Sequence, residues 1–225
     1  MKLTKNTIEI LSAFSAINNS MTLFPGMKIY TQDNNSKILA SADVDVEFPK
    51  EVYIYDLGNF LSALNLVNEP EITFNDTHMT VKASDGSGSH FNYGYGEAEF
   101  MPEVTKELNF PQDPRNVTCV LQFSSLQKVL KAANTFGVEF LAFSTKKGSD
   151  KLELRTFGKS NCYSITLAEV PTDHEYDFVF SIDRFAGFLK ETYEVTLNPE
   201  GISSFTGADV QYYVVMETET KHVNS

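Results

Sequence analysis

The sequence predicts an α+β fold made of two similar domains, each with two helices packed on antiparallel sheets. Three observations support this prediction. Short runs of alternating apolar and polar residues, typical of strands, occur along the whole chain. Runs with apolar residues three and four positions apart, typical of helices, interrupt them twice in each half. The order of strands and helices then starts again after a proline-containing stretch near the middle of the 225 residues.

The first half contains two predicted helices among strands. The first helix covers the run from Leu3 to Asn18, with Ile10 and Phe14 on its apolar face. Asp56 stands in the position of an N-cap for the second helix, residues 56–67. Strands are predicted at the runs MTLF, MKIY, ILASAD, VYIYD, EITFN, HMTVKA and SHFNYGY.

The segment from about residue 94 to residue 115 has a different character. Its sequence, GEAEFMPEVTKELNFPQDPR, contains three prolines and several acidic residues and follows no steady period. We interpret it as a connector between a first domain, residues 1–110, and a second domain, residues 111–225.

The second half repeats the order of the first. Ser124 is expected to cap a third helix, as Thr4 is expected to cap the first. A fourth helix is predicted at IDRFAGFLKET, residues 182–192, after the strand YDFVFS. A repeated unit explains this order better than one irregular domain, and chance recurrence of common elements is the alternative. The other predicted strands are NVTCVLQF, FLAFSTK, KLELRTF, CYSITLAEV, EVTLN, ISSFTG and YYVVMET.

The chain is acidic, with 30 Asp and Glu against 18 Lys and Arg and a net charge of −12. This balance argues against a protein that grips nucleic acid over its whole surface, but it permits a local basic face, because salt screens charges within about 10 Å. No apolar run approaches the roughly 20 residues that span a bilayer, so we expect a soluble, cytosolic protein with no membrane partner. Cys119 and Cys162 are expected to be reduced and buried as small hydrophobes.

No pattern of catalytic residues is recognisable in the sequence. His78, His90, His174 and His222 are scattered and form no HExxH motif. The glycine-rich run SDGSGSHFNYGYG lacks the GK[ST] of a P-loop. The run DVDVE from Asp43 would place three carboxylates on one strand face, where they could hold a divalent cation, although a solvated face is the stronger interpretation. We therefore expect no catalytic residue, no metal site and no cofactor.

The third helix, in the run SSLQKVLKAANTFG from Ser124 to Gly137, carries two lysines and no acidic residue. A helical wheel places its apolar residues on one face and both lysines on the opposite face. An ordinary solvated helix face is the alternative to a functional surface. The neighbouring helices also bring cations among few acids. The candidate set is Lys2 and Lys5 on the first helix, Lys128 and Lys131 on the third, and Arg184 and Lys190 on the fourth.

Three blocks of sequence, MKLTKNTIEILSAFSAIN, VYIYDLGNFLSALNLVNE and YYVVMETE, resemble the sliding clamp of tailed bacteriophages, the processivity subunit of their DNA polymerase. The likeness spans the chain, is strongest in the first 70 residues and is weakest between Asp85 and Arg115. It implies a DNA-clamp fold that assembles into a homotrimeric ring, with helices inside and sheets outside, encircling duplex DNA. The six cations would then face DNA phosphates without reading sequence.

Helix geometry agrees with three subunits. A helix is about 10 Å wide, so twelve helices side by side enclose a bore of roughly 28 Å, which admits a duplex and a layer of water. Eight helices from a dimer would leave about 15 Å, which is too narrow.

The resemblance also implies the partners of the protein. These are duplex DNA, the phage DNA polymerase, a clamp loader and phage late-transcription factors, in the cytoplasm of the infected bacterial host. A partner peptide would bind near the connector, and alternation in the last strand lets only one of Tyr212 and Tyr213 face the core. The alternative is that these aromatic residues simply close the core. The candidate pocket residues are Leu108, Phe110, Pro111, Tyr213 and Val215.

Subunits are expected to join through edge strands of the first and second domains, with residues 78–83 and 151–157 as candidates. Two other functions stay open on the sequence alone. One is a β-rich virion or assembly protein, in which the lysines would be ordinary surface residues. The other is a cytosolic enzyme with an unrecognised carboxylate site.

Overall fold

The computed structural model divides into two units, Met1–Lys106 and Glu107–Ser225. It describes residues 1–146, 148–158, 161–169 and 175–223. Both units combine antiparallel sheets with few helices, as the predicted fold class requires. No helix in the described ranges is long and apolar enough to cross a membrane.

The first unit contains two α-helices, one 3₁₀ turn (Ala98–Phe100) and seven strands. The α-helices and strands are α1 (Lys5–Ser15), α2 (Leu57–Leu64), β1 (Met21–Leu23), β2 (Gly26–Gln32), β3 (Ile38–Phe48), β4 (Val52–Ile54), β5 (Pro70–Phe74), β6 (His78–Ala83) and β7 (His90–Gly94). All pairings are antiparallel: β1 pairs with β4, β2 pairs with β3, and β5, β6 and β7 form one sheet in that order. The sequence predicted each of these strands.

Both helices of the first unit begin at the predicted caps. The Thr4 hydroxyl accepts a hydrogen bond from the Thr7 N–H (3.1 Å), and the Asp56 carboxylate accepts one from the Asn59 N–H (2.7 Å). Each helix buries one apolar face, because its apolar residues recur every three or four positions. The buried apolar residues are Ile10, Leu11 and Phe14 on α1 and Leu57, Phe60 and Leu64 on α2.

The second unit contains one α-helix and nine strands in its described part: α3 (Phe123–Phe136), β8 (Val117–Gln122), β9 (Phe140–Thr145), β10 (Lys151–Phe157), β11 (Ser164–Glu169), β12 (Glu175–Ser181), β13 (Thr192–Asn198), β14 (Ile202–Thr206), β15 (Val210–Val215) and β16 (Lys221–Val223). One sheet has the strand order β11-β10-β9-β12-β16, and the strands β15, β14, β13 and β8 pair in that order. The sequence did not predict β16.

The start of α3 differs from the prediction. The helix begins at Phe123, after Gln122, which forms no side-chain cap, so Ser124 is not the N-cap. The Phe123 N–H instead donates to the carbonyl of Glu191 (3.2 Å). A neighbouring segment of chain therefore satisfies one of the free N–H groups at the helix start.

The predicted fourth helix is only a 3₁₀ turn, Ile182–Phe185. Two tyrosine hydroxyls form hydrogen bonds with backbone groups that would otherwise bond to each other within a helix. The Tyr212 hydroxyl donates to the carbonyl of Gly187 (3.0 Å) and accepts from the Leu189 N–H (3.2 Å), and the Tyr193 hydroxyl donates to the Leu189 carbonyl (2.6 Å). Gly187 also has low helix propensity. The prediction of a full helix here is wrong, because the side chains of Tyr212, 23 residues from Leu189, and of Tyr193, 4 residues from Leu189, satisfy these backbone groups.

The core of the second unit is aromatic. Phe188 stacks on Tyr212 at 4.1 Å between ring centroids, and Phe205 contacts Phe143, Phe180 and Phe188 at 5.3–6.1 Å. Such clusters contribute more than their buried area alone, because the ring edges and faces attract each other. They hold the turn after β12 against β14 and β15.

The two cysteines have different environments. Cys119 is half-buried on β8, and burial raises the pKa of its thiol to about 12. Cys162 is exposed, so the prediction that it is buried is wrong. Cys162 precedes β11, so the alternation of inward and outward side chains along that strand does not place it in the core.

Asp45 on β3 holds the N-terminus of α1. Its carboxylate accepts hydrogen bonds from the hydroxyls of Thr4 (2.6 Å) and Thr7 (2.7 Å). These bonds lower the pKa of Asp45, because they favour the charged form of the carboxyl group. The interaction connects the first helix to the longest strand of the unit.

We expect Asp45→Asn to lower the melting temperature by a few degrees at neutral pH. The folded-state pKa lies below the ordinary value, so the charged carboxylate stabilises the fold above about pH 4. This contribution is lost as the pH falls through the folded-state pKa, and the difference between variant and wild type should shrink there. Thermal unfolding from pH 7 to pH 3 checks this, with Asp43→Asn on the same strand as the control. A difference that stays constant with pH would contradict this role.

Candidate functional site

The exposed side of α3 forms a polar surface without acidic residues. Burial of the apolar side chains on the opposite side turns Gln127, Lys128, Lys131, Asn134 and Thr135 toward solvent, and we call these five residues the α3 face. An open groove of about 790 Å³ runs along them. Glutamine, lysine and asparagine side chains all offer N–H donors, so the α3 face can donate hydrogen bonds from several directions.

Lys128 and Lys131 are free cations. Within the described part of the chain, neither lysine takes part in an ion pair. A lysine ammonium is a compact charge on a flexible stem, and it suits contacts with phosphate that exchange quickly and ignore base sequence. The buried apolar residues behind the α3 face are Leu126, Val129 and Ala133.

The other cations predicted to face DNA differ in whether an acidic side chain lies beside them. Lys2 lies 3.4 Å from a carboxylate oxygen of Glu69 and donates to the Ser84 hydroxyl (2.8 Å). Lys5 is highly exposed and forms a loose i,i+4 pair with Glu9 at 3.8 Å. Exposed pairs of this kind contribute little stability and exchange with solvent. Each nevertheless places a negative charge beside the lysine, unlike the pattern on α3.

Arg184 is committed to a contact inside the second unit. Its guanidinium forms an ion pair with Glu217 and donates to the carbonyl of Val215 (2.6 Å), and only 11% of its side chain is exposed. Its charge is therefore neutralised and it does not offer a free cation to phosphate. Lys190, by contrast, is exposed and forms no ion pair among the described residues. The pairing of Arg184 follows from the 3₁₀ turn, which brings it beside the end of β15.

The candidate partner site centres on two stacked aromatic rings. Phe110 of the connector stacks on Tyr213 of β15, with ring centroids 5.9 Å apart and planes inclined by 25°. Tyr212 is fully buried while Tyr213 is half-buried, which confirms that only one of the two faces the core. The stack leaves ring edges accessible to a further apolar group. The other predicted members, Leu108, Pro111 and Val215, are also half-buried.

One carboxylate of the acidic run on β3 is engaged by α1. Asp45 bonds to Thr4 and Thr7, and the described residues contain no group of three or more His, Cys, Asp or Glu that could hold a metal ion. His174 and the side chain of His222 lie outside the described residues.

The predicted edge strands are interior strands. β6 lies between β5 and β7, and β10 lies between β9 and β11, so the candidates 78–83 and 151–157 are wrong. The outer side of β5 is occupied by Met1, whose carbonyl accepts from the Ile72 N–H (2.7 Å) and whose amino group donates to the Ile72 carbonyl (2.7 Å). β7 is therefore the open edge of the first unit's three-stranded sheet, and β11 is an edge of the five-stranded sheet.

The interior and edge strands differ in how completely their side chains are buried. β6 and β10 carry buried aliphatic residues at alternate positions, whereas β7 and β11 bury no residue fully. An interior strand packs its apolar face beneath two neighbours, and an edge strand does so less completely.

Comparison with known proteins gives consistent matches along the chain. The family model described as DNA polymerase processivity factor matches residues 2–101, and the one described as gp45 sliding clamp, C terminal, matches residues 120–218. The sliding clamp of Vibrio phage KVP40 is 36% identical over 222 residues, which cover 96% of this chain and 99% of that protein. The sliding clamp of Escherichia phage RB69 is 26% identical over 232 residues, with 99% of each chain covered.

A solved structure of the same fold comes from A. fulgidus. PCNA from this organism, with the C-terminal region of FEN-1 bound, matches with a TM-score of 0.68 and 14% identity over 95% of this chain and 96% of that chain. At this identity the likeness shows the fold alone. It confirms the predicted α+β clamp fold.

Proposed function

This chain belongs to the sliding clamps, the processivity factors of phage DNA polymerases, and from this premise we propose that three copies form a ring around duplex DNA. The ring tethers the replicative polymerase of a tailed phage, so that synthesis continues over long stretches without dissociation. Sliding clamps are non-enzymatic scaffolds, and this chain is not an enzyme. The first clamp domain is assigned to residues 1–110 and the second to residues 111–225, with the connector at about 94–115.

The main support for the proposal that the ring surrounds DNA is the α3 face. In a chain with 30 acidic and 18 basic residues, a 14-residue helix with no acid and with two lysines that form no ion pair among the described residues is a local exception. A clamp must hold DNA and still slide, so contacts to base edges would impede it. Lysine contacts to phosphate are independent of sequence and exchange quickly. The acidic remainder of the chain repels DNA from other surfaces.

The proposed DNA-facing residues are those whose charge is free. Lys128, Lys131 and Lys190 are exposed and unpaired within the described residues, and they form the first choice. Lys2 and Lys5 are secondary because each has an acidic neighbour. Arg184 is left out, because Glu217 already neutralises it.

The bore estimate supports a trimer. Each copy contributes three α-helices and, at the position of the predicted fourth helix, the 3₁₀ turn Ile182–Phe185, which occupies about the width of one helical turn. The other described 3₁₀ turn, Ala98–Phe100, lies in the connector and is left out of this estimate. Twelve such segments enclose a bore of roughly 28 Å. The subunit contact that we propose continues the sheet from the open edge β7 of one copy to the open edge β11 of the next.

The Phe110–Tyr213 stack is the proposed docking site for the polymerase. A short apolar peptide that adds one or two anchor side chains to the stack would bind with micromolar affinity, about −8 kcal/mol, which suits a clamp that changes partners. The A. fulgidus structure supports this mode, since a C-terminal region of a partner is bound to a clamp there. A clamp loader and phage late-transcription factors are proposed as further partners. The protein acts inside the infected bacterial cell, and we assign it to the cytoplasm.

Charge reversal on α3 tests the DNA-facing surface. We expect Lys128→Glu with Lys131→Glu to leave the ring intact but to shorten polymerase run length severalfold on a primed template, because the face becomes repulsive to phosphate. The matched control reverses two exposed lysines outside the helices, Lys37→Glu with Lys146→Glu, and should retain wild-type run length. Equal run lengths in both double variants would remove α3 from the DNA path.

Truncation of the aromatic stack tests the partner site. We expect Phe110→Ala or Tyr213→Ala to weaken binding of the polymerase's C-terminal peptide by about 1 kcal/mol or more, as for an anchor residue. Calorimetry measures this, with native mass spectrometry as the check that the ring still assembles. Phe100→Ala, which removes an exposed aromatic side chain elsewhere, is the control. Wild-type peptide affinity in both stack variants would relocate the docking site.

A further inference from the structure

Leu66 is an apolar side chain held out into solvent. It is 78% exposed, more than any other large apolar side chain in the described part of the chain. Its backbone is ordered, because its N–H donates to the Ala63 carbonyl (3.0 Å) and the next residue, Val67, is buried. Single exposed leucines are common on protein surfaces and need no special cause. Leu66 matters because the same chain also carries a cleft with aromatic and aliphatic side chains in its lining.

The cleft lies at the C-terminal end of α3 and has a volume of about 330 Å³. Its lining combines the apolar side chains of Phe136, Val138, Phe140 and Phe157 with the polar side chains of Glu139 and Asn161, and it contains no lysine or arginine. Phe136 is 39% exposed although it is a large aromatic residue. Val138 lies so close to Gly158 that a Cβ there would be 3.2 Å from a Val138 methyl carbon. The glycine therefore lets the β10–β11 connection approach the helix end and define the cleft.

Leu66 and the cleft belong to different units of the chain. Leu66 lies in the first unit, whose open sheet edge is β7, and the cleft borders the connection that leads into the open edge β11 of the second unit. A contact between two different patches of identical chains is heterologous, and repetition of it gives a ring when the rotation closes. Each copy then buries its Leu66 in the cleft of one neighbour and receives the Leu66 of the other neighbour in its own cleft. Both surfaces are thereby removed from water.

We propose that Leu66 of one copy inserts into the Phe136–Val138–Phe157 cleft of the next copy and anchors the subunit interface. This inference rests on the proposed ring, and it names the apolar contact that accompanies the β7–β11 edge pairing. Edge pairing supplies backbone hydrogen bonds that many strands could satisfy. A side chain in a shaped cleft adds the selectivity for the correct neighbour. Full burial of a leucine corresponds to roughly a tenfold to hundredfold change in an association constant.

Charged substitutions on either side test the contact. We expect Leu66→Lys and Phe136→Lys each to raise the concentration at which the trimer dissociates by tenfold or more, measured by native mass spectrometry and light scattering. Lysine is tolerated at the end of a helix, so both variants should fold. Met27→Lys, which also replaces an exposed apolar residue, is the control and should assemble as the wild type does. A mixture of the two interface variants retains one intact contact per pair and should give heterodimers but no ring.

Cross-linking provides a second measurement that does not depend on weakened assembly. In a Cys162→Ser background, Leu66→Cys with Val138→Cys should form disulfide-linked dimers and trimers on oxidation. No cross-linked species larger than a trimer should appear. Met27→Cys with Val138→Cys should not. If the wild type is a trimer but both lysine variants assemble normally and no cross-link forms, the contact is refuted while the ring stands. If the wild type is monomeric at micromolar concentration, the ring and the contact both fall.

Discussion

The rotation of α3 about its axis is fixed by the burial of Leu126, Val129 and Ala133, and the proposed function depends on this orientation. Removing these side chains from water stabilises one orientation of the helix, and Lys128 and Lys131 consequently face solvent. No acidic residue lies on the helix to neutralise them. Since the chain as a whole is acidic, the position of a small cationic surface is decided by the core packing beneath it, and net charge alone would not reveal it.

Strand β15 links the core of the second unit to its outer surface. Successive side chains on a strand point to opposite faces. Tyr212 points inward, where its hydroxyl bonds the turn after β12, and Tyr213 points outward to stack on Phe110. The end of the same strand receives Arg184 through the Val215 carbonyl. One alternating sequence thus builds a stable core and presents the proposed docking surface, so changes to either face will affect how the other is held.

Local patterns predicted much of this fold, and long-range contacts account for the differences. Alternation located fifteen of the strands in the described residues. Periodicity located α1, α2 and α3, and the predicted capping residues were correct for α1 and α2 but not for α3. A 3₁₀ turn replaces the predicted fourth helix, and one of its causes is the hydroxyl of Tyr212, which bonds to Gly187 and Leu189 from 25 and 23 residues away. No local pattern signals this contact. The pairing of Arg184 with Glu217 is likewise distant in sequence. The lysines of α3 were predictable because a helix face depends on neighbours three and four positions apart.

The most direct test of the account is whether DNA topology retains the protein. The protein is assembled on nicked circular DNA by the clamp loader, and the complex is passed over a sizing column in high salt, which weakens simple electrostatic binding. Half of the sample is first cut once with a restriction enzyme. The account predicts that the protein elutes with the circle and is lost from the linear DNA, because a ring slides off free ends. Equal retention on circular and linear DNA, or equal loss from both, would contradict encirclement.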